Sequence, residues 1–225
     1  MCGRYTNHTP AKIYAQIFNA TLDGIETPPR FNIAPSDNVL ACRVDADCER
    51  KLVTLKWGLV PFWAKEPKIG YKMINARAET VATKPAFRAA FRHRRCLICA
   101  DGFYEWRPTK QGKQPYHIRL IGGQPLAFAG LWEHWEGEDQ TIESCTVIVT
   151  DANELVNPIH DRMPVILSPD DYDLWLDPTD AHASELQRLL RPFPADQMEA
   201  FPVSKAVNRA GQDEPRMIEP ISTEC

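Results

Sequence analysis

The chain has 225 residues, 44% of them hydrophobic and 25% charged, with a formal net charge of −4, ample apolar material for a buried core without disulfide or metal support. No run approaches the roughly 18 apolar residues that cross a bilayer, and no charged segment followed by a hydrophobic stretch stands at the start, so neither a membrane span nor a secretory leader is expected. Seven cysteines, an odd number without an export signal, read as reduced thiols of a protein that stays in the cytosol or nucleoid.

In chain order, Thr9 followed by Pro10 predicts a helix start, with Ile13, Ile17 and Phe18 at helical spacing behind it. The stretches NVLACRV, KLVTLKW, CLICA, YHIRLI, PLAFAGLW and CTVIVT are short, rich in β-branched or aromatic residues and bounded by charged, Gly or Pro punctuation, which predicts strands. MINARAET predicts a strand end followed by a helix start, and PAFRAAFRH and ASELQRLL repeat at helical spacing. Strands outnumber helices and do not alternate with them. The expected fold is therefore α+β, a mostly antiparallel, barrel-like β-sheet core with peripheral helices. No repeat, linker or low-complexity tract divides the chain, so one domain over 1–225 with a short tail from about 211 is expected.

The net charge hides a division. Residues 1–100 hold 16 Lys and Arg against 8 Asp and Glu, a net +8, while residues 101–225 hold 10 against 22, a net −12. The basic half offers a polyanion a footprint and the acidic half limits indiscriminate binding. A mixed, solvated surface is the plain alternative.

Four polar sites stand outside the regular pattern. Cys2 directly follows the initiator methionine, and loss of Met1 leaves an amine and a thiol on one residue. An α-amine titrates near 7.7 to 8.0, so roughly a tenth is neutral at pH 7, whereas a lysine amine is almost wholly protonated. Once the amine condenses with an aldehyde, the thiol can close a five-membered ring with intramolecular advantage. An incidental cysteine is the alternative. Asn75, Arg77 and Glu79 stand at the expected strand end, where an amide and a guanidinium can reach a phosphate or orient a nucleophile, or merely cap a helix. Glu105 lies between Tyr104 and Trp106, and a carboxyl held against aromatic surface has the raised pKa a general acid needs, unless it faces solvent. His160, Asp161 and Arg162 precede an apolar strand, offering a proton carrier and a phosphate ligand, or a structural histidine. CLIC has the C-x-x-C spacing with His93 nearby, but strand positions three apart face opposite ways; no metal and no cofactor is expected.

Taken together, MCGRY, RFNIAP, WGLVPFW, INARAET, DGFYEW and IHDRMPV, in this order and at these spacings, resemble the SOS response-associated peptidase family, the SRAP or abasic-site processing proteins. The resemblance runs from Cys2 through FPVSKAVN. It implies that the mature N-terminal cysteine captures the ring-opened aldehyde of an abasic site in single-stranded or junction DNA as a stable thiazolidine. The lesion is thereby shielded from strand cleavage, and the crosslink reverses slowly; lyase activity and peptidase action on Met1 are associated expectations. Cys2 is implied as the covalent nucleophile and Asn75 as the residue positioning it and the sugar-phosphate. Glu105 is implied as the proton shuttle, and His160 as the residue assisting ring opening and crosslink release. Arg4, Arg77 and Arg162 are implied as phosphate ligands, and Asn32, Trp63 and Trp106 as further DNA contacts. Where some family members carry two adjacent tryptophans, Phe62 precedes Trp63 here, which leaves the strength of stacking open. FRHRRC, with Arg88 three residues ahead of it, adds Arg88, Arg92, His93, Arg94 and Arg95, divided between a DNA channel and ordinary helix surface. A monomer is expected. The competing reading is an N-terminal-nucleophile cysteine peptidase or amidohydrolase, which the basic half disfavours.

Overall fold

The computed structural model describes residues 2–179 and 183–221. Strand β1 (Tyr5–Asn7) leads into helix α1 (Ala11–Phe18), then β2 (Arg30–Ile33) and the hairpin of β3 (Asn38–Val44) and β4 (Arg50–Trp57). A long loop brings the chain to β5 (Asn75–Arg77) and α2 (Arg88–His93), followed by five successive strands. These are β6 (Arg95–Ala100), β7 (Gly102–Thr109), β8 (Gly112–Leu120), β9 (Leu126–Glu136) and β10 (Thr141–Asp151). The remainder comprises β11 (Arg162–Pro164), β12 (Ile166–Leu167), α3 (Tyr172–Leu176), α4 (Ala183–Leu189) and β13 (Met198–Pro202).

The larger sheet runs β10-β4-β3-β6-β9, and β9 pairs with β10 again, so five strands close into a barrel. Closure removes the open edges through which a sheet would recruit other chains. Every pairing in the ring is antiparallel except β10 with β4, which meet in parallel at Ser144↔Lys56 and Cys145↔Trp57. Short β5 also runs parallel to β10, from Val147↔Asn75 to Val149↔Arg77. A second, antiparallel sheet has the order β13-β8-β7-β1-β2.

Alternation along each barrel strand sorts the core into two faces. In β6, Leu97 and Cys99 join one buried cluster while Cys96 and Ile98 join the other. The helical residues Tyr14, Phe18, Phe91, Trp175 and Leu186 all belong with Leu97 and Cys99, which identifies that face as the outer wall. The inner cluster unites Val39, Leu55, Trp57 and Phe128 of the barrel with Tyr5, Phe103 and Ile118 of the second sheet. Tyr5 meets Trp57 and Phe128 edge-on at centroid distances of 5.3 and 5.5 Å. Cys2 is part of this inner cluster, joined to it by the strand that carries Tyr5.

The α+β, barrel-like expectation holds, and all six predicted strands are present, as β3, β4, β6, β8, β9 and β10. Four local expectations differ. In α1 the buried stripe is Ala11, Tyr14 and Phe18, while Ile17 is 39% exposed. Thr9 does not cap this helix, because its hydroxyl donates to Asp101 Oδ1 at 2.6 Å and Pro10 occupies the cap position. No helix begins in MINARAET: Asn75–Arg77 pairs with β10, and the chain then makes turns until Arg88. Pro85 disfavours helical backbone at the residue before it. Within FRHRRC, Arg95 serves neither DNA nor helix surface. It is buried, and its guanidinium donates to the carbonyls of Phe91 and Trp175 at 2.7 Å each, tying α2 and α3 to β6.

Candidate active site

Cys2 is positioned through its backbone. Asn75 Nδ2 donates to the Cys2 carbonyl at 2.8 Å. Asn75 is fixed in turn by pairing with Val147 and by the preceding residue, whose carbonyl accepts from Trp57 Nε1 at 2.9 Å. Its buried Oδ1 has no hydrogen-bond partner among the described residues, which leaves an acceptor for a bound group. Cys2 itself is fully buried; burial first, and the nearby charge of Glu105 second, push its thiol pKa up.

Glu105 comes to Cys2 because the segment leading into β1 runs beside β7, with the Tyr104 amide donating to the Arg4 carbonyl at 2.9 Å. Only 2% of Glu105 is exposed, and its pKa is pushed up to about 7, by burial first and by the Asp161 carboxylate as a further cause. The flanking aromatics are not its walls: Tyr104 and Trp106 belong to a separate cluster with Val203 and Val207, as strand alternation requires.

His160 arrives on the turns after β10, where Asn153 Oδ1 accepts from the Val156 amide at 2.9 Å and the Val156 carbonyl accepts from the His160 amide at 3.0 Å. Its Nε2 lies 4.0 Å from Glu105 Oε2. The Arg162 amide donates to Nδ1 at 3.0 Å, which makes Nδ1 an acceptor and assigns the ring proton to Nε2, on the Glu105 side. Asp161 Oδ1 also stands 3.0 Å from Nδ1, but that carboxylate is solvent-exposed, and burial lowers the His160 pKa despite it. The site therefore pairs a carboxyl inclined to hold its proton with an imidazole inclined to lose one, a combination suited to passing protons near neutral pH.

Glu105 and His160 open into a pocket of about 480 Å³ completed by Arg4, Trp106, Lys113 and Asn208. A larger cavity of about 670 Å³ lies on the outer wall beside α1 and α3 and is lined by none of the predicted site residues. Arg4 donates to Asn32 Oδ1 at 2.9 Å and to the Val207 carbonyl at 3.2 Å. Asn32 is buried, and its amide donates to the carbonyls of Gln212 and Arg209 at 2.6 and 3.2 Å, holding the C-terminal segment in place. Trp106 Nε1 donates to Asn208 Oδ1 at 2.7 Å. Arg77 and Arg162 sit apart from the pocket on β5 and β11, which both pair with β10, opposite Val149 and Asp151; Arg77 is exposed and Arg162 pairs with Glu79 and Asp151. Trp63 and Phe62, 48% and 58% exposed, project from the loop after β4 and line no part of the pocket. Cys96 and Cys99 face opposite sides of the barrel wall.

Sequence reasoning missed Lys113 and Asn208 as pocket residues. Asn208 closes the FPVSKAVN stretch, and Lys113 lies in a hairpin whose signal is its lack of acidic residues.

Residues 1–210 match the family described as SOS response associated peptidase (SRAP). Among relatives, the abasic site processing protein YoqW of Bacillus subtilis is 46% identical over 223 residues, covering 97% of this chain and 99% of that protein. The abasic site processing protein YedK of Escherichia coli is 30% identical over 228 residues, covering 98% and 100%. A solved protein of Bacteroides thetaiotaomicron has the same fold, with a TM-score of 0.89 at 24% identity over 98% of this chain and 100% of that one. With the fold matched along nearly its full length and the sequence matched from its first residue to position 210, the chain belongs to the SOS response associated peptidase (SRAP) family.

Proposed function

We propose that the chain processes abasic sites in single-stranded DNA, capturing the lesion as a thiazolidine on Cys2 after removal of Met1, which lies outside the described residues. The names of its relatives support the lesion class. The observation that carries the chemistry is the placement of the Cys2 backbone by Asn75 beside a carboxyl with a pKa of about 7 and an imidazole 4.0 Å from it. An amide nitrogen does not condense with an aldehyde, so excision of Met1 is a chemical requirement of the reading.

The abasic sugar is a cyclic hemiacetal. His160 moves a proton between its ring and hydroxyl oxygens and unmasks the aldehyde. The Cys2 amine then attacks the aldehyde carbon and forms a carbinolamine. Protonated Glu105 gives its proton to the departing hydroxyl, which leaves as water, and a protonated imine remains beside the Glu105 carboxylate. The thiol sulfur adds to the same carbon and closes the ring onto the nitrogen that has kept its proton, while the thiol proton passes to the Glu105 carboxylate and restores the carboxyl. One water is released overall and no electrons change hands. Reversal runs these steps backwards with the same groups.

Arg4, Arg77 and Arg162 serve as phosphate ligands. Trp63 and Trp106 offer ring surface to bases without reading sequence. Asn32 contributes by holding Arg4 and the C-terminal segment.

Incubating the mature protein with an abasic single-stranded oligonucleotide is expected to give a gel-stable adduct that Cys2→Ala abolishes. The α-amine remaining in that variant still forms a transient imine and supports strand cleavage by β-elimination. Failure of the unmodified protein to form the adduct, with turnover of a peptide panel in its place, would establish the peptidase reading instead.

A further inference from the structure

From Trp106 to Trp132 the chain contains no Asp or Glu, yet it carries Arg107, Lys110, Lys113 and Arg119, inside a half whose Asp and Glu outnumber Lys and Arg by 22 to 10. Three of these cations are accounted for. Arg119 pairs with Glu199 at 2.8 Å, Arg107 stacks over Tyr116 at 5.0 Å, and Lys110 sits at the exposed hairpin tip away from the pocket. Lys113 lines the pocket with Glu105 and His160.

The β7–β8 register fixes where Lys113 points. Trp106 pairs with Pro115 and Pro108 with Lys113, so Trp106 and Lys113 share one face of the hairpin. The turn is held by Thr109 Oγ1 donating to the Gly112 carbonyl at 2.6 Å, and Gly112 has a φ of +105°, which a side chain would strain. The neighbouring phosphate ligands have partners of their own that an incoming phosphate must share, Arg4 with Asn32 and Val207, Arg162 with Glu79 and Asp151. Lys113 is exposed and makes no ion pair with any carboxylate of the described residues. Its charge nevertheless reaches the reaction centre, where it assists burial in lowering the His160 pKa. A cation fixed at the lip of the pocket, unneutralised by its own chain, is a place for an external anion.

We infer that Lys113 binds a backbone phosphate of the single strand where it passes the Trp106 side of the pocket. The inference rests on the DNA reading above and adds a residue to it from the acidic half of the chain. A lysine holds phosphate as a point charge, so the contact contributes affinity and salt dependence without reading the base.

The test compares the unmodified protein with Lys113→Gln, Lys113→Arg and, as a control on the outer-wall helix, Lys12→Gln. Binding of an undamaged single-stranded oligonucleotide is followed by anisotropy across a series of KCl concentrations. Loss of one phosphate contact lowers the slope of log K against log salt by about 0.7 and weakens low-salt affinity by roughly 5-fold. Lys113→Gln is expected to show both changes, Lys113→Arg to restore both, and Lys12→Gln to show neither. An unchanged slope for Lys113→Gln overturns the inference, and so does an equal loss of slope for Lys12→Gln. If the unmodified protein itself shows no salt-dependent binding, the DNA reading fails together with it, an outcome distinct from failure at Lys113 alone.

Discussion

A carboxyl that titrates near pH 7 can give and take a proton at neutrality, and Glu105 reaches that value through burial first, with the Asp161 charge adding to it. The same shift carries a stability consequence. Because the folded chain holds this proton more tightly than an ordinary glutamate of pKa 4.5 does, the native state loses stability as pH rises from about 4.5 through about 7. Glu105→Gln removes the buried charge and is expected to stabilise the fold by on the order of 1–3 kcal/mol near pH 8, with the gain fading below about pH 5. Denaturant unfolding of both proteins at the two pH values checks this; an equal difference at both contradicts it. The raised pKa was legible in the sequence only in direction. The aromatic neighbours that suggested it lie on the other face of the strand, and the burial comes from the meeting of β7 with the segment behind Cys2, a contact that no local pattern records.

Among the elements, the long apolar runs were readable because β-branched and aromatic residues between charged or Gly/Pro boundaries identify a strand without reference to its partner. Strands of two to four residues, such as β5 and β12, were not, since a ladder partner rather than a propensity makes them strands. Yet β5 carries Asn75. Its approach depends on two glycines in the loop before it, where the backbones cross so closely that a Cβ on Gly70 would lie 2.6 Å from the Gly58 carbonyl oxygen, and one on Gly58 would lie 2.7 Å from that of Gly70. Backbone atoms cannot swing aside as a side chain can, so the loop itself must move. Gly70→Ala is expected to cost about 1–3 kcal/mol and to slow crosslinking by displacing Met73 to Asn75, whose first member is tied to Leu59 by a 3.1 Å hydrogen bond. A thermal midpoint and crosslinking rate both unchanged from the unmodified protein would show that the crossing does not position β5.

Across the whole molecule, the barrel separates an outer wall clothed by helices from an inner cluster shared with the second sheet, and Cys2 belongs to the inner one. The strand-rich, non-alternating pattern announced this class of fold, but not the ring closure, which depends on β10 joining β4 in parallel over some 90 residues of intervening chain. Charge followed the same division between legible and hidden. The basic and acidic halves are plain in the sequence, whereas the fold brings Lys113 of the acidic half to the same pocket as Arg4 of the basic one. On the proposed reading these features serve an amine and a thiol on one terminal residue. The intact mass of the purified protein, taken before and after exposure to abasic single-stranded DNA, tests that most directly. The expected masses are the chain less one methionine and then that chain plus the oligonucleotide less one water, with the second species absent for Cys2→Ala. A protein that keeps its methionine and still forms the stable adduct would contradict it.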